Sequence, residues 1–157
     1  MLGEAIAINK SLRSLNLSFN HFTNAPGSNG EPSGFQQLLQ GLIENKHLEE
    51  LRLNDCGLVS SSIDQLSSIV KEHPRLRVLE LAHNKFCGES MHAIGAALCK
   101  NQALEQLDLR QRHAYVNTAN FFEFLAHNGT LRELGVSIGE GTVACLLEHF
   151  PGNKALQ

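Results

Sequence analysis

Eight histidines and four cysteines are the side chains of this chain best suited to act as nucleophiles, general bases or metal ligands. Cys99 with His92 is the most tempting nucleophile and base, yet on one helix they stand two turns, about 10 Å, apart, too far for direct proton transfer. Cys99 therefore also reads as a filler at the core edge. Cys87 and Cys145 have no histidine or acid at ligand spacing and read as packing or surface residues. The chain lacks H-E-x-x-H, H-x-H and closely paired cysteines, so a metal would need ligands from separate segments. His83 and His113 are the candidates for that, against the plainer reading of surface histidines in turns. Gly135, Gly139 and Gly141 suggest a phosphate loop ahead of Thr142, but no Gly-Lys-Ser or Gly-Lys-Thr follows and Glu140 would repel the anion. The glycosylation-type triplets Asn16-Leu-Ser18 and Asn128-Gly-Thr130 fall on a predicted strand and a predicted helix stop. No catalytic set, cofactor or metal is expected, and no small-molecule substrate is evident.

The elements that carry these residues repeat. Leu12-Arg-Ser-Leu-Asn-Leu17, Leu48-Glu-Glu-Leu-Arg-Leu53, Leu76-Arg-Val-Leu-Glu-Leu81 and Leu104-Glu-Gln-Leu-Asp-Leu109 share one L-x-x-L-x-L pattern, and Leu131-Arg-Glu-Leu134-Gly-Val136 keeps its first half. The first leucines fall at 12, 48, 76, 104 and 131, in steps of 36, 28, 28 and 27. Ahead of them recur the trios Phe35, Leu38, Leu42; Ile63, Leu66, Val70; Met91, Ile94, Leu98; and Thr118, Phe121, Leu125, whose spacing puts each on one helical face. Three positions before each leucine stands Asn9, Asn45, Asn101 or Asn128, with His73 in the remaining unit. Asparagine tolerates the left-handed conformation that ends helices, so a left-handed stop is expected there. Each unit is strand, turn, helix, stop. No unit buries both its faces alone, whereas stacked units share one core between a parallel sheet and a helix layer.

On this pattern the chain resembles the long, helix-containing leucine-rich repeats of the ribonuclease-inhibitor type. The resemblance implies an α/β leucine-rich-repeat solenoid, a horseshoe arc of about five repeats with a parallel concave sheet and convex helices. Residues 1–157 form one domain, with an insertion loop at 21–34. The chain starts in mid-repeat and ends, at Asn153-Lys-Ala-Leu156, as another strand should begin, so a fragment of a longer array is expected. In the family the ninth repeat position alternates asparagine and cysteine, which makes Cys56 a buried residue bonding neighbouring backbone. The architecture serves ribonuclease inhibitors, sensor ends of cytosolic immune receptors, actin-capping proteins and bacterial effectors, and nothing in the residues selects among them.

What remains for function is the concave face. Side chains alternate along a strand, so the residues between the leucines face solvent, and the middle column reads Asn16, Arg52, Glu80, Asp108, Gly135. Arg52 beside Glu80 predicts an ion pair across strands, and Asp108 with Arg110 extends it. These groups either satisfy one another or form a recognition surface. At the eighth position stand Phe19, Asp55, His83, Gln111 and Ile138, with Phe19 the aromatic in a mostly polar column. The expected protein-binding residues are Phe19, Arg52, Glu80, Asp108, Arg110, Asp55, His83 and Tyr115. The function expected is a non-enzymatic module binding a protein partner through the concave sheet and its rim. The alternative is a structural or regulatory segment of a multidomain protein, immune-receptor-like or effector-like, whose activity lies elsewhere.

Composition narrows the setting. A net charge of −3 with no basic run argues against nucleic acid, and the apolar runs are far short of a membrane span. With 42% hydrophobic residues the chain needs no covalent staples, so free thiols and a cytoplasmic location are expected.

Overall fold

A computed structural model describes residues 2–22, 32–113 and 119–137, together with positions 139, 143, 148 and 155. The expectations for residues 23–31, for Tyr115 and Thr118, and for most of 138–157 fall outside the described residues. Five short strands, β1 (Ser14–Asn16), β2 (Glu50–Arg52), β3 (Val78–Glu80), β4 (Gln106–Asp108) and β5 (Glu133–Gly135), form one parallel sheet in chain order. They alternate with helices α1 (Leu2–Ile8), α2 (Gly34–Glu44), α3 (Ile63–Glu72), α4 (Gly88–Leu98) and α5 (Ala119–Ala126). The register is unslipped: Leu15, Leu51, Leu79, Leu107 and Leu134 align across the sheet, which is what a repeated leucine spacing demands. This is the α/β leucine-rich-repeat solenoid. Among the described residues no helix is long and apolar enough to cross a membrane.

The core lies between the sheet and the helices. In the central units Leu51, Leu53, Leu79, Leu81, Leu107 and Leu109 are sealed from solvent, and against them pack the helix trios, with Leu38, Leu66, Ile94 and Phe121 all buried. Ser33 begins α2 with a capping box, its Oγ accepting from Gln36 N (3.1 Å) while Gln36 Oε1 accepts from Ser33 N (2.8 Å). α1 meets α2 through Gly3 and Gly41, where a β-carbon on either would strike the other helix's backbone.

The helix stops differ from expectation. Asn45 sits at φ −65°, ψ 135° and His73 at φ −73°, ψ 120°, so the chain leaves these helices in extended rather than left-handed form. None of Asn9, Asn45, Asn101 and Asn128 has a positive φ. Their selection comes from the side chain. Asn45 Oδ1 accepts from His47 N and Leu48 N, both at 2.8 Å, while Nδ2 donates to Ile6 O (2.7 Å) and Asn9 O (2.9 Å) of the unit before. Asn101 donates to Val70 O and Asn128 to Leu98 O in the same way, so at these three repeat boundaries the amides stitch helix end to strand start.

A second stitch runs under the opposite strand ends. Asn84 Nδ2 donates to Leu53 O and Leu81 O, both at 2.8 Å, and Oδ1 accepts from Cys56 N (3.0 Å) and Leu58 N (3.1 Å). Buried Cys56 holds the equivalent place, its thiol donating to Leu17 O at 3.1 Å, and loss of solvent pushes its pKa up. The residue just before each stitch turns left-handed: Phe19 (φ 63°), Asp55 (φ 49°) and His83 (φ 59°). That turn follows β1, β2 and β3 and lifts the eighth-position side chain onto the rim.

Candidate functional site

Two columns of the concave face stand as the alternation requires, with Ser14 opposite Glu50 in one and Asn16 opposite Arg52 and Glu80 opposite Asp108 in the other. Arg52 is their hub. Its Nε donates to Glu80 Oε1 at 2.9 Å, its Nη1 lies 2.9 Å from Glu50 Oε2, and the two carboxylates raise its pKa, the Glu80 hydrogen bond most. Glu80 Oε2 accepts from Asn54 Nδ2 at 2.6 Å, and Asn54 Oδ1 accepts from Ala82 N at 2.8 Å, which fixes the pair to the backbone of β3's exit. Asn54 is thus a working part of the face. Its sequence signal was position alone, two residues past Arg52 and one strand away from Glu80.

Asp108 and Arg110 form the second centre. Arg110 Nε donates to both carboxylate oxygens of Asp108 at 3.0 and 3.1 Å, and Arg110 N donates to Oδ1 at 3.0 Å. Burial works against the Asp108 carboxylate, but these donors outweigh it and hold its pKa below the usual value. Gly135 makes the arrangement possible: a β-carbon there would come within 2.6 Å of Asp108 Oδ1. The missing side chain opens a groove of about 340 Å³ over β3 to β5, lined by Glu80, Asp108, Arg110 and Glu133.

The rim residues divide. Asp55 and His83 line one groove with Lys85, Gln111, Arg112 and His113, so the two histidines singled out from sequence do share a cavity. No cluster of three or more His, Cys, Asp or Glu suited to a metal occurs among the described residues. Phe19 does not line that groove; it stands at the β1 end of the rim with 80% of its surface exposed. Tyr115 lies outside the described residues.

Cys99 sits at the α4 exit with its thiol on Phe124 O at 3.3 Å, and burial raises its pKa. His92 instead packs edge-on to Phe124, ring centroids 5.1 Å apart. Cys87, read as a packing or surface residue, is exposed; it caps the N-terminus of α4, and Ser60 Oγ donates to its sulfur at 3.1 Å. That hydroxyl, with the Ser90 backbone and hydroxyl, brings the exposed thiol down to about 7. Ser60 is 27 residues away, beyond any local spacing rule.

The family model described as "Leucine Rich repeat" matches residues 9–25 and 44–62. The chain is 27% identical over 146 residues to the ribonuclease inhibitor of Sus scrofa, covering 90% of this chain and 30% of that protein. It thus spans less than a third of that relative's length. Among solved structures, the tropomodulin C-terminal domain of Caenorhabditis elegans superposes with a TM-score of 0.73 at 16% identity, covering 97% of this chain and 93% of that one. Leiomodin-1 Actin-Binding Site 2 superposes with a TM-score of 0.75 at 19% identity, covering 95% and 87%. At such identities the two structures speak for the fold alone. Leucine spacing, the in-register parallel sheet and these matches together show a leucine-rich-repeat fold whose units are similar to those of the ribonuclease-inhibitor type.

Proposed function

We propose that this chain is a non-catalytic recognition module that binds a protein partner through its concave sheet and rim. The observation that carries the reading is the Arg52, Glu80 and Asn54 network beside the Asp108 and Arg110 pair. It is a row of fixed polar groups across three adjacent strands, bordering a groove that Gly135 leaves open. Fixed donors and acceptors on a rigid sheet lose little entropy on binding and discriminate partners by charge placement. Phe19, exposed on a left-handed backbone, supplies an aromatic anchor of the kind that dominates hot spots. Asp55, His83 and Tyr115 complete the proposed contact set. Matches to a ribonuclease inhibitor and to an actin-binding segment support a protein as the partner, and make ribonuclease and actin the first probes.

The test is a titration of each probe, and of any protein captured from cell extract, against the native chain and the Arg52→Ala, Asp108→Ala double variant. Association should weaken by about tenfold or more while circular dichroism stays unchanged, because both side chains leave the sheet on its solvent face. Equal affinity for both proteins would remove the concave face from the account.

A further inference from the structure

The rim groove beyond the ends of β3 and β4 is lined by more basic than acidic side chains. It encloses about 640 Å³ between the turn at His83 to Gly88 and the turn at Gln111 to His113. Lys85 and Arg112 line it, with His83 and His113, and Asp55 is the one carboxylate among its lining residues. The chain as a whole carries −3. On the concave sheet Arg52 and Arg110 are already engaged by Glu50, Glu80 and Asp108. Lys85 and Arg112, by contrast, have no carboxylate within ion-pair distance among the described residues. Gln111 also lines the groove. These two cations offer hydrogen-bond donors where an occupant must bring acceptors.

We propose that this groove binds an acidic segment of a protein partner, its carboxylates meeting Lys85 and Arg112. The inference rests on the recognition reading above and assigns the partner's chemistry at the rim. A protein segment fits better than a nucleic acid: two cations neutralise few phosphates, and the neighbouring Glu80 and Asp108 would repel a continuing polyanion. Short acidic stretches flanked by other side chains avoid that repulsion. Charge complementarity at a rim acts on encounter rate and partner choice, so binding should be strongly salt-dependent.

A fluorescein-labelled peptide of alternating glutamate and glycine, titrated by anisotropy against the whole chain, tests this. Its affinity should fall by about tenfold on Lys85→Glu with Arg112→Glu and on raising the salt, while Arg52→Ala with Asp108→Ala changes it by less than about twofold. Lys85→Gln with Arg112→Gln removes the charges without adding repulsion and should give an intermediate loss, which keeps the test decisive if charge reversal disturbs folding. The proposal is overturned if the matching glutamine peptide binds equally well, if the charge variants bind within twofold of the native chain, or if an oligonucleotide of equal charge binds as tightly. Should the concave double variant lose its protein partner while the rim variants leave the peptide unaffected, the rim inference alone fails and the concave reading stands.

Discussion

His73 occupies the place that asparagine holds in the other units, and the exchange has a cost that pH exposes. Its Nδ1 accepts from Arg75 N (3.3 Å) and Leu76 N (3.0 Å), as Asn Oδ1 does elsewhere, but its buried Nε2 has no hydrogen-bond partner among the described residues. Burial, with Lys46 nearby, lowers its pKa from 6.5 to about 4. Between those values the unfolded chain takes up a proton that the folded chain refuses, so stability falls as pH drops, by up to about 3 kcal/mol. His73→Asn should restore the donor, add about 1 kcal/mol at neutral pH and flatten the stability curve between pH 6.5 and 4, read by urea titration at several pH values. An unchanged acid slope would assign the pH response to other groups. Sulfur chemistry separates at the same scale: at neutral pH, mass spectrometry after brief iodoacetamide treatment should find Cys87 alkylated before Cys99, with buried Cys56 last.

At the scale of elements, strand facing and helix contact make opposite demands on neighbouring residues. Leu79→Ala and Leu107→Ala each open a cavity in a sealed core and should destabilise by about 2 to 5 kcal/mol, whereas Glu80→Ala, half-exposed on the other face, should cost under about 1 kcal/mol. Similar losses at all three sites, measured by denaturant unfolding, would contradict the facing. Gly41→Ala should cost about 1 to 3 kcal/mol, since its new methyl meets Gly3 backbone and α1 must move off α2. Much of the element scale was legible in sequence. The leucine interval set strand facing and register, and the three-and-seven spacing of Ile63, Leu66 and Val70 set the buried helix face, because both depend only on local period. The stops at Asn45 and Asn101 were placed correctly but for the wrong reason. Backbone tolerance is a property of the residue, whereas the amide bonds that select asparagine there reach a carbonyl one repeat away. The Gly3 and Gly41 contact and the Ser60 to Cys87 bond were illegible for the same cause, being meetings of residues with no shared periodicity.

For the whole molecule, the candidate site was half legible. The Arg52 and Glu80 pair and the Asp108 and Arg110 pair follow from a parallel register that brings like positions of successive units side by side. The rim groove does not, since it depends on how two turns fold back toward α4 and on which charges remain unpaired after the concave pairs form. A repeat array of this kind separates its tasks by surface: the leucines hold it together, the amide stitches fix the rise between units, and the concave strands and rim are left to vary. The central claim is that recognition happens on that concave side. Hydrogen-exchange mass spectrometry of the chain with and without saturating bound partner tests it most directly. The account predicts slowed exchange in β2, β3, β4 and the turns at Asp55 and His83, with α2, α3 and α4 unchanged; slowed exchange confined to those convex helices would contradict it.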